Sequence, residues 1–205
     1  MVTKVLILII WFTNRFQLIN MGANNLHKFD GTSISEIVGH DVFFEIVEPE
    51  ELSYTYRTRP ATNFGTKFLF QNVNFSRGLI PLVPIDPADG CSWPDNADDL
   101  RGNIALAERG ECSFLSKAIK AEQVGAVAII IADYDVKNDD LYVEMVDDKT
   151  LRKTNIPATF LVGRNGYIIR KTLKKLRLKQ ALIRIPLNMT HVPVHKMRQP
   201  PWVPW

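Results

Sequence analysis

The stretch that decides the fold is residues 102–133, GNIALAERGECSFLSKAIKAEQVGAVAIIIAD. A short apolar run at 103–107 predicts a β-strand, and a turn follows at 109–111. Ser113 predicts a helix N-cap, because the apolar residues after it recur near the 3.6-residue period until Gly125 ends the pattern. Residues 126–132 are apolar at successive positions, which is typical of a strand covered on both faces. The stretch therefore predicts a strand, a helix and a second strand.

A second unit of this kind follows nearer the C-terminus. Residues 157–162 predict a strand, and a helix begins at Asn165 or Gly166, with Ile169, Leu173 and Leu176 on its apolar face. Residues 181–187 predict the last strand. The pattern is that of an α/β protein.

The chain before residue 102 favours β-structure. Residues 41–47, DVFFEIV, predict a strand, and residues 66–73 predict another after a turn region at 60–65. Residues 79–85 contain two prolines, which favours an edge strand or a loop. Residues 86–99 have the polar composition of a turn-rich connection.

Length and composition indicate one globular domain. The 205 residues are 46% hydrophobic and 23% charged, with 11 Gly and 12 Pro, which excludes collagen-like and disordered classes. The net charge is +3, but residues 1–148 contain all 22 acidic residues, whereas residues 149–205 contain 13 Lys or Arg and no acid. This asymmetry indicates either contact with a polyanion or two faces of one domain that neutralise each other.

The N-terminus predicts entry into the secretory pathway. Lys4 precedes an apolar run at 5–12, and small residues follow at Gly22 and Ala23, so residues 1–23 resemble a signal peptide. The alternative is a buried N-terminal strand or helix. Eight apolar residues are too few to span a bilayer, and no later segment predicts an anchor, so we expect secretion.

Two further features fit that compartment. Asn74 and Asn188 each begin an Asn-X-Ser/Thr sequon, so both are predicted glycosylation sites. Cys91 and Cys112 are the two cysteines, and they could form one disulfide that closes a segment of about 22 residues, worth about 3 kcal/mol. The alternative is that Cys112, at a helix start, is a reactive thiol.

The last fifteen residues, 191–205, form a Pro- and Trp-rich tail with four prolines and two tryptophans. This composition excludes regular helix and central strand. Its PPWVPW ending either docks in a partner's groove or folds back so that the tryptophans pack on the domain.

Common catalytic and metal-binding patterns are absent from the sequence: it lacks GxSxG, HExxH, a P-loop and GxGxxG. His191 and His195 are separated by Pro193, so they do not share a helical face. Four acids follow a calcium-loop spacing, but a lysine and an asparagine replace a ligand and the turn glycine, which favours a hydrophilic loop. These acids are Asp133, Asp135, Asp139 and Glu144. We expect no catalytic residue, metal or cofactor.

The second predicted helix is strongly basic away from its apolar stripe. Such residues usually face water, but outside the cell they would suit an anionic polysaccharide rather than nucleic acid. The basic residues are Arg164, Arg170, Lys171, Lys174, Lys175, Arg177 and Lys179.

The central stretch resembles the protease-associated domain. That family's motif has a strand, then R-G-x-C-x-F-x-x-K, a helix, and G-A-x-A before a hydrophobic run. The matching residues are Arg109, Gly110, Cys112, Phe114, Lys117, Gly125, Ala126 and Ala128. A second block, Ile156-Pro157-Ala158 with Gly163 and Gly166, is also similar, and the likeness covers about residues 40–205.

The resemblance implies an α/β (α+β) fold over residues 40–190, either a β-sandwich or an open, barrel-like sheet with flanking helices. It also implies a non-catalytic module that binds an unidentified protein or peptide, either as a secreted protein or as a secretory-pathway sorting or retention adaptor; a hydrolase is the remaining alternative. The loops at the ends of the parallel strands are the candidate ligand loops. Their residues are Arg109, Gly110, Glu111, Gly163, Arg164, Asn165 and Gly166.

Overall fold

The computed structural model describes residues 41–68 and 78–203, which contain seven strands and three α-helices. The strands are β1 (Val42–Glu48), β2 (Thr55–Pro60), β3 (Ile80–Pro84), β4 (Ile104–Glu108), β5 (Ala128–Ala132), β6 (Ala158–Leu161) and β7 (Ala181–Arg184). The helices are α1 (Ala97–Leu100), α2 (Phe114–Gln123) and α3 (Gly163–Leu176), and short 3-10 turns occur at Glu50–Leu52 and Val194–Lys196.

The strands form a closed barrel in the order β1-β2-β6-β5-β4-β3-β7. Strands β3, β4, β5 and β6 are parallel neighbours, whereas β1, β2 and β7 pair antiparallel with each other and with the two outer parallel strands. Parallel neighbours need a crossover, which α2 supplies between β4 and β5. Of the two predicted sheet architectures, the barrel with flanking helices is confirmed, and it is closed.

Apolar side chains fill both faces of the parallel strands. One cluster draws on all seven strands and occupies the barrel interior, where Phe44, Tyr56, Leu106 and Ile130 are fully buried. A second cluster lies outside, between the parallel strands and α2. All five residues of β5 are buried, which confirms the prediction from its continuous apolar run.

Helix α2 forms where the sequence predicts it. The Ser113 side chain accepts a hydrogen bond from the Ser116 backbone N–H at 3.1 Å, as an N-cap does. Leu115, Ala118 and Ala121 are buried on the side that faces the sheet. The chain leaves the helix through Gly125, which has a left-handed φ of 88°.

Helix α3 begins at Gly163, two residues before the earlier of the two predicted starts, Asn165 and Gly166. The early start depends on glycine, because a Cβ at position 163 would overlap the Asp135 carbonyl oxygen. Ile169 and Leu173 are buried and join the cluster of the barrel interior, so α3 closes one end of the barrel.

Three predictions for the β-rich first half were wrong or incomplete. Strand β2 was not predicted, since residues 55–60 combine two arginines with a proline. Strand β3 is neither an edge nor a loop, because it pairs with both β4 and β7. In the segment predicted as a strand at 66–73, Thr66 forms only an isolated bridge with Pro157, and residues 69–73 lie outside the described residues.

The prolines of β3 fit because each lies just beyond the pairing of one neighbour. The pairing with β4 begins at Leu82, after Pro81, and the pairing with β7 ends at Leu82, before Pro84. Neither proline therefore removes a donor from a paired position on that side.

Candidate functional site

The two predicted ligand loops meet at one end of the barrel, where the parallel strands finish. The Arg109 N–H donates to the Ala132 carbonyl at 2.8 Å, and the Asp133 N–H donates to the Leu161 carbonyl at 3.0 Å. Backbone pairing therefore continues one residue past β4 and β5, and it holds residues 109–111 beside the start of α3. Carboxyl ends of parallel strands are where open sheets commonly bind ligands.

An ion pair links the first loop to the residue that follows β5. The Arg109 guanidinium lies 3.3 Å from a carboxylate oxygen of Asp133, whose other oxygen accepts a hydrogen bond from the Asn138 amide at 2.8 Å. Asp133 is buried, whereas Arg109 is 35% exposed and lies 5.5 Å from the ring centroid of the exposed Tyr134. The outer surface of this pair presents a cation and an aromatic ring.

The backbone of the first loop is shaped by Gly110 and Glu111, both with positive φ, at 116° and 63°. Gly110 allows the first of these values without a steric cost. Glu111 points into solvent. The following residue, Cys112, forms a disulfide with Cys91, which confirms the predicted pairing and excludes a free reactive thiol.

Lys117 lies fully buried beneath this disulfide. Its Nζ donates to the carbonyl oxygens of Asp89 and Gly110, at 2.6 and 2.5 Å, and lies 3.3 Å from Sγ of Cys91. Burial lowers the pKa of the Lys117 amine, although nearby carboxylates oppose this effect. Lys117 therefore supports the ligand loop from below; the sequence identified it only as a motif residue.

The start of α3 supplies the second loop, but most of it is buried. Gly163, Asn165 and Gly166 are buried, and a Cβ on Gly166 would overlap the Ala132 side chain. Arg164 is partly exposed; its N–H donates to the Asn138 carbonyl at 2.8 Å, and its guanidinium lies 3.5 Å from Asp139. Of the seven candidate loop residues, Arg109, Glu111 and Arg164 offer charged side chains to a ligand.

The C-terminal tail folds back onto this end of the barrel. The Trp202 indole N–H donates to the Asn165 side-chain oxygen at 2.9 Å, and its ring meets the Tyr54 ring edge-on at 5.2 Å. The Thr55 N–H donates to the Arg198 carbonyl at 2.7 Å. Of the two alternatives for the tail, the structure thus places Trp202 on the domain; Trp205 lies outside the described residues.

An aromatic cluster beside the tail was not predicted. The ring of Tyr142 has the guanidinium groups of Arg57 and Arg59 at 4.7 and 4.9 Å from its centroid, and both arginines pair with Asp41. Burial raises the pKa of Tyr142 to about 12. Since these residues lie far apart in the chain, no local pattern indicated the cluster.

A second unpredicted contact fixes the long connection between β5 and β6. The Asp148 carboxylate accepts hydrogen bonds from Ser113 at 2.5 Å and from Arg152 at 2.6 Å. The hydrogen bond from the Ser113 hydroxyl holds the pKa of Asp148 well below its usual range, and hydrogen bonds from Thr150 act in the same direction. This connection is therefore attached at the start of α2.

The four acids of the calcium-loop spacing do not converge on a common point. Asp133 and Asp139 pair with arginines, Asp135 accepts from the Lys137 N–H at 2.9 Å, and Glu144 accepts from Thr62 at 3.3 Å. Within residues 41–68 and 78–203, no group of three His, Cys, Asp or Glu is placed to hold a metal ion. In the same residues, no helix has both the length and the apolar composition to cross a bilayer.

The basic residues of α3 and of the turn after it divide into a set that pairs with carboxylates and a set that does not. Arg164, Arg170 and Lys179 reach carboxylates of other elements, namely Asp139, Glu108 and Asp99. Lys171, Lys174, Lys175 and Arg177 are exposed, and none of them reaches a carboxylate in the part of the chain that the structure describes. Of the two sequons, Asn188 is exposed, and Asn74 lies outside the described residues.

Comparisons with known proteins agree with this architecture. The PA domain family model matches residues 79–169, which include both candidate ligand loops. The PRADC1-like protein of Drosophila melanogaster is 48% identical over 174 residues, which cover 83% of this chain and 85% of that protein. The chain therefore belongs to the protease-associated (PA) domain family, as the motif at residues 102–133 predicts, and it is similar to the PRADC1-like protein over most of both lengths.

Two further similarities cover parts of larger proteins. ER degradation-enhancing alpha-mannosidase-like protein 3 of Xenopus laevis is 31% identical over 152 residues, covering 72% of this chain but 15% of that protein. The solved aminopeptidase from Aneurinibacillus sp. strain AM-1 superposes with a TM-score of 0.48 and 18% identity, over 72% of this chain and 30% of that one.

Proposed function

We propose that this chain is a secreted, N-glycosylated protein-interaction module that binds partner polypeptides at the carboxyl end of its parallel strands and catalyses no reaction. The observation that carries the proposal is the use of charged groups at that end. Arg109, Arg164 and Lys117 each bond to another part of the domain, so they stabilise a surface rather than prepare a nucleophile or a proton acceptor.

The exposed chemistry of the site suits a polypeptide partner. Arg109 and Tyr134 form one outward-facing cation and aromatic pair, and Glu111 adds an anion beside it. Aromatic and arginine side chains dominate the binding energy of protein interfaces. The loops that carry these groups are held by a rigid barrel and a disulfide, which limits the entropy lost on binding.

Capture of partners from conditioned medium with the glycosylated protein tests this proposal. A Glu111→Lys variant should lose the captured partners, because it reverses the charge at the centre of the site. Asp98→Lys is the matched control, since Asp98 has the same charge, is 99% exposed and lies on α1, outside the candidate ligand loops. Equal capture by both variants would contradict the proposed site.

The proposal for secretion and glycosylation rests on the disulfide, the exposed sequon and the N-terminal pattern. Disulfides persist in oxidising compartments. Asn188 is exposed and lies in the segment between β7 and the tail, where a glycosylation sequon is accessible. Thr190→Ala should remove a mobility shift that enzymatic deglycosylation also removes; a variant that keeps the shift would contradict a glycan at Asn188.

Two alternatives to the proposal have direct tests. A sorting or retention adaptor would keep a tagged chain inside secretory organelles, whereas the proposal places it in the medium. A hydrolase would cleave members of a broad peptide library, and a single point substitution would abolish that cleavage. No reproducible cleavage is expected.

A second candidate function is binding of an anionic polysaccharide at α3, favoured by its unpaired lysines. Lys174 and Lys175 lie three and four residues after Lys171, so both share a helix face with Lys171 and repel it unless an anion neutralises them. A Gln substitution at all three should weaken retention on a heparin column. The matched control removes three exposed lysines elsewhere, at Lys137, Lys153 and Lys196. Equal retention of both triple variants would end this proposal.

A further inference from the structure

The tail reaches the domain through a small set of specific contacts. In addition to the bonds of Trp202 and Arg198 described above, the Arg198 guanidinium donates to the Ser53 hydroxyl at 3.1 Å and lies 5.7 Å from the Tyr54 ring centroid. Pro200, which lies between Arg198 and Trp202 in the chain, is buried. We call the surface formed by Tyr54, Thr55 and Asn165 the tail groove.

The contacts in the tail groove are those by which domains recognise extended peptides. Prolines lack a backbone donor, so a Pro-rich segment is held by its carbonyl oxygens and side chains. Here the Thr55 N–H donates to the Arg198 carbonyl of the tail. The Trp202 ring packs edge-on against Tyr54, and its indole N–H donates to the Asn165 side-chain oxygen. Trp202 is partly buried, and an indole whose N–H is hydrogen-bonded is a typical interface anchor.

The Trp202 indole N–H supplies a hydrogen-bond donor to the side-chain oxygen of Asn165. The Asn165 side chain is 2% exposed, and it lies in the first turn of α3 with its oxygen directed at the groove. A buried side-chain acceptor without a donor costs about 1–3 kcal/mol. The groove therefore selects an occupant that brings an N–H donor on a flat apolar ring.

The tail does not fill the groove completely. A cavity of about 110 Å³ remains beside Pro200 and Val203, and its wall includes Arg57, Asp139 and Asp140. Between β7 and Val203, the only regular structure in the described chain is the 3-10 turn Val194–Lys196. The tail is therefore held by individual side-chain and backbone contacts and not by strand pairing, as expected of a segment that opens locally.

We propose that the tail groove is a binding site for an extended Pro-Pro-Trp segment of a partner polypeptide, and that the chain's own tail occupies it as an intramolecular ligand. This inference deepens the proposed function by naming the class of segment that the module recognises. Because the tail is tethered, its effective concentration is on the order of millimolar, and a free peptide at micromolar concentration competes poorly with it.

The test uses the full chain with Trp202→Ala, which leaves the groove without its anchor, and a fluorescent peptide of residues 197–203, MRQPPWV. In fluorescence anisotropy, the variant should bind the peptide at least tenfold more tightly than the wild-type chain. A peptide with alanine in place of its tryptophan should not bind. Adding Asn165→Ala to the variant should weaken binding by about fivefold, the usual effect of one lost hydrogen bond.

The inference is overturned if the folded Trp202→Ala chain does not bind the peptide, if the wild-type chain binds it equally well, or if Asn165→Ala has no effect on binding. Cooperative thermal unfolding establishes that each variant is folded. Should Trp202→Ala fail this criterion, Trp202→Phe replaces it, because phenylalanine keeps a ring on Tyr54 but cannot donate to Asn165. A negative peptide result leaves the partner capture at Glu111 unaffected, so the two proposals fail separately.

Discussion

Removal of the disulfide between Cys91 and Cys112 should cost a large share of the domain's stability. The two cysteines are separated by 21 positions. For a closed loop of this length, the chain-entropy model gives about 3 kcal/mol, because the cross-link restricts the unfolded chain. A domain of this size has a total stability of about 5–15 kcal/mol and shifts its Tm by about 2–4 °C per kcal/mol. We therefore expect the double alanine variant to unfold about 6–12 °C below the wild-type chain.

Guanidinium denaturation followed by circular dichroism measures this effect. The free energy of unfolding should fall by about 3 kcal/mol, and the m value should rise, since the unfolded chain without its cross-link exposes more surface. The reduced wild-type chain is the matched control and should behave like the variant. A loss below about 1 kcal/mol would refute the reasoning, because it would mean that Lys117 and its two carbonyl partners hold the loop without the covalent link.

Two other substitutions test the packing at this end of the barrel. Gly166→Ala should destabilise the domain by about 1–3 kcal/mol, because the new methyl group overlaps the Ala132 side chain. The control, Lys174→Ala, lies on the exposed side of α3 and should change the stability little. Equal losses of stability in thermal unfolding would contradict the close packing of Gly166 against Ala132. Asp148→Asn should be less stable than the wild-type chain at pH 7, because Ser113 and other donors lower the pKa of Asp148 in the folded state. The stability that the Asp148 carboxylate contributes is therefore fully present above its ordinary pKa near 4, and it is lost as the pH falls below that value. The difference between the two chains should shrink in acid denaturation followed from pH 6 to pH 2; a difference independent of pH would argue against the contact.

The sequence predicts those helices and strands that are determined by residues close to one another in the chain. The Ser113 cap, the apolar face of α2 and the run that forms β5 are each encoded within about a dozen residues, and the structure contains all of them. The family resemblance leaves a sandwich and an open, barrel-like sheet as alternatives, and closure of the barrel depends on strand pairings that periodicity does not contain. For α3, the early start at Gly163 depends on a backbone contact with Asp135, which no local pattern contains.

The errors occur where pairing partners decide the structure. Strand β3 looks like an edge because of its prolines, but it is central, with Pro81 outside the pairing with β4 and Pro84 outside the pairing with β7. Strand β2 carries Arg57 and Arg59, and its conformation is stabilised by their contacts with Tyr142, more than eighty residues away. Local composition cannot report such contacts.

The candidate ligand loops remain a prediction as a binding site, and the structure shows where their residues lie. The loops at 109–111 and 163–166 do lie together, because both follow parallel strands of one sheet. However, Gly163, Asn165 and Gly166 are buried, and Asn165 bonds to Trp202, thirty-seven positions along the chain. The role of Lys117 beneath the disulfide was also hidden, since a lysine on a helix usually faces water.

Closure of the barrel limits how a partner can attach. Within residues 41–68 and 78–203, each of the seven strands has two neighbours, so this part of the chain offers no free row of N–H and carbonyl groups to which an incoming chain could add itself as an eighth strand. For the proposed interaction module, we therefore expect a partner to attach through side chains and loop backbone. The same closure removes the surface from which sheet proteins most readily polymerise.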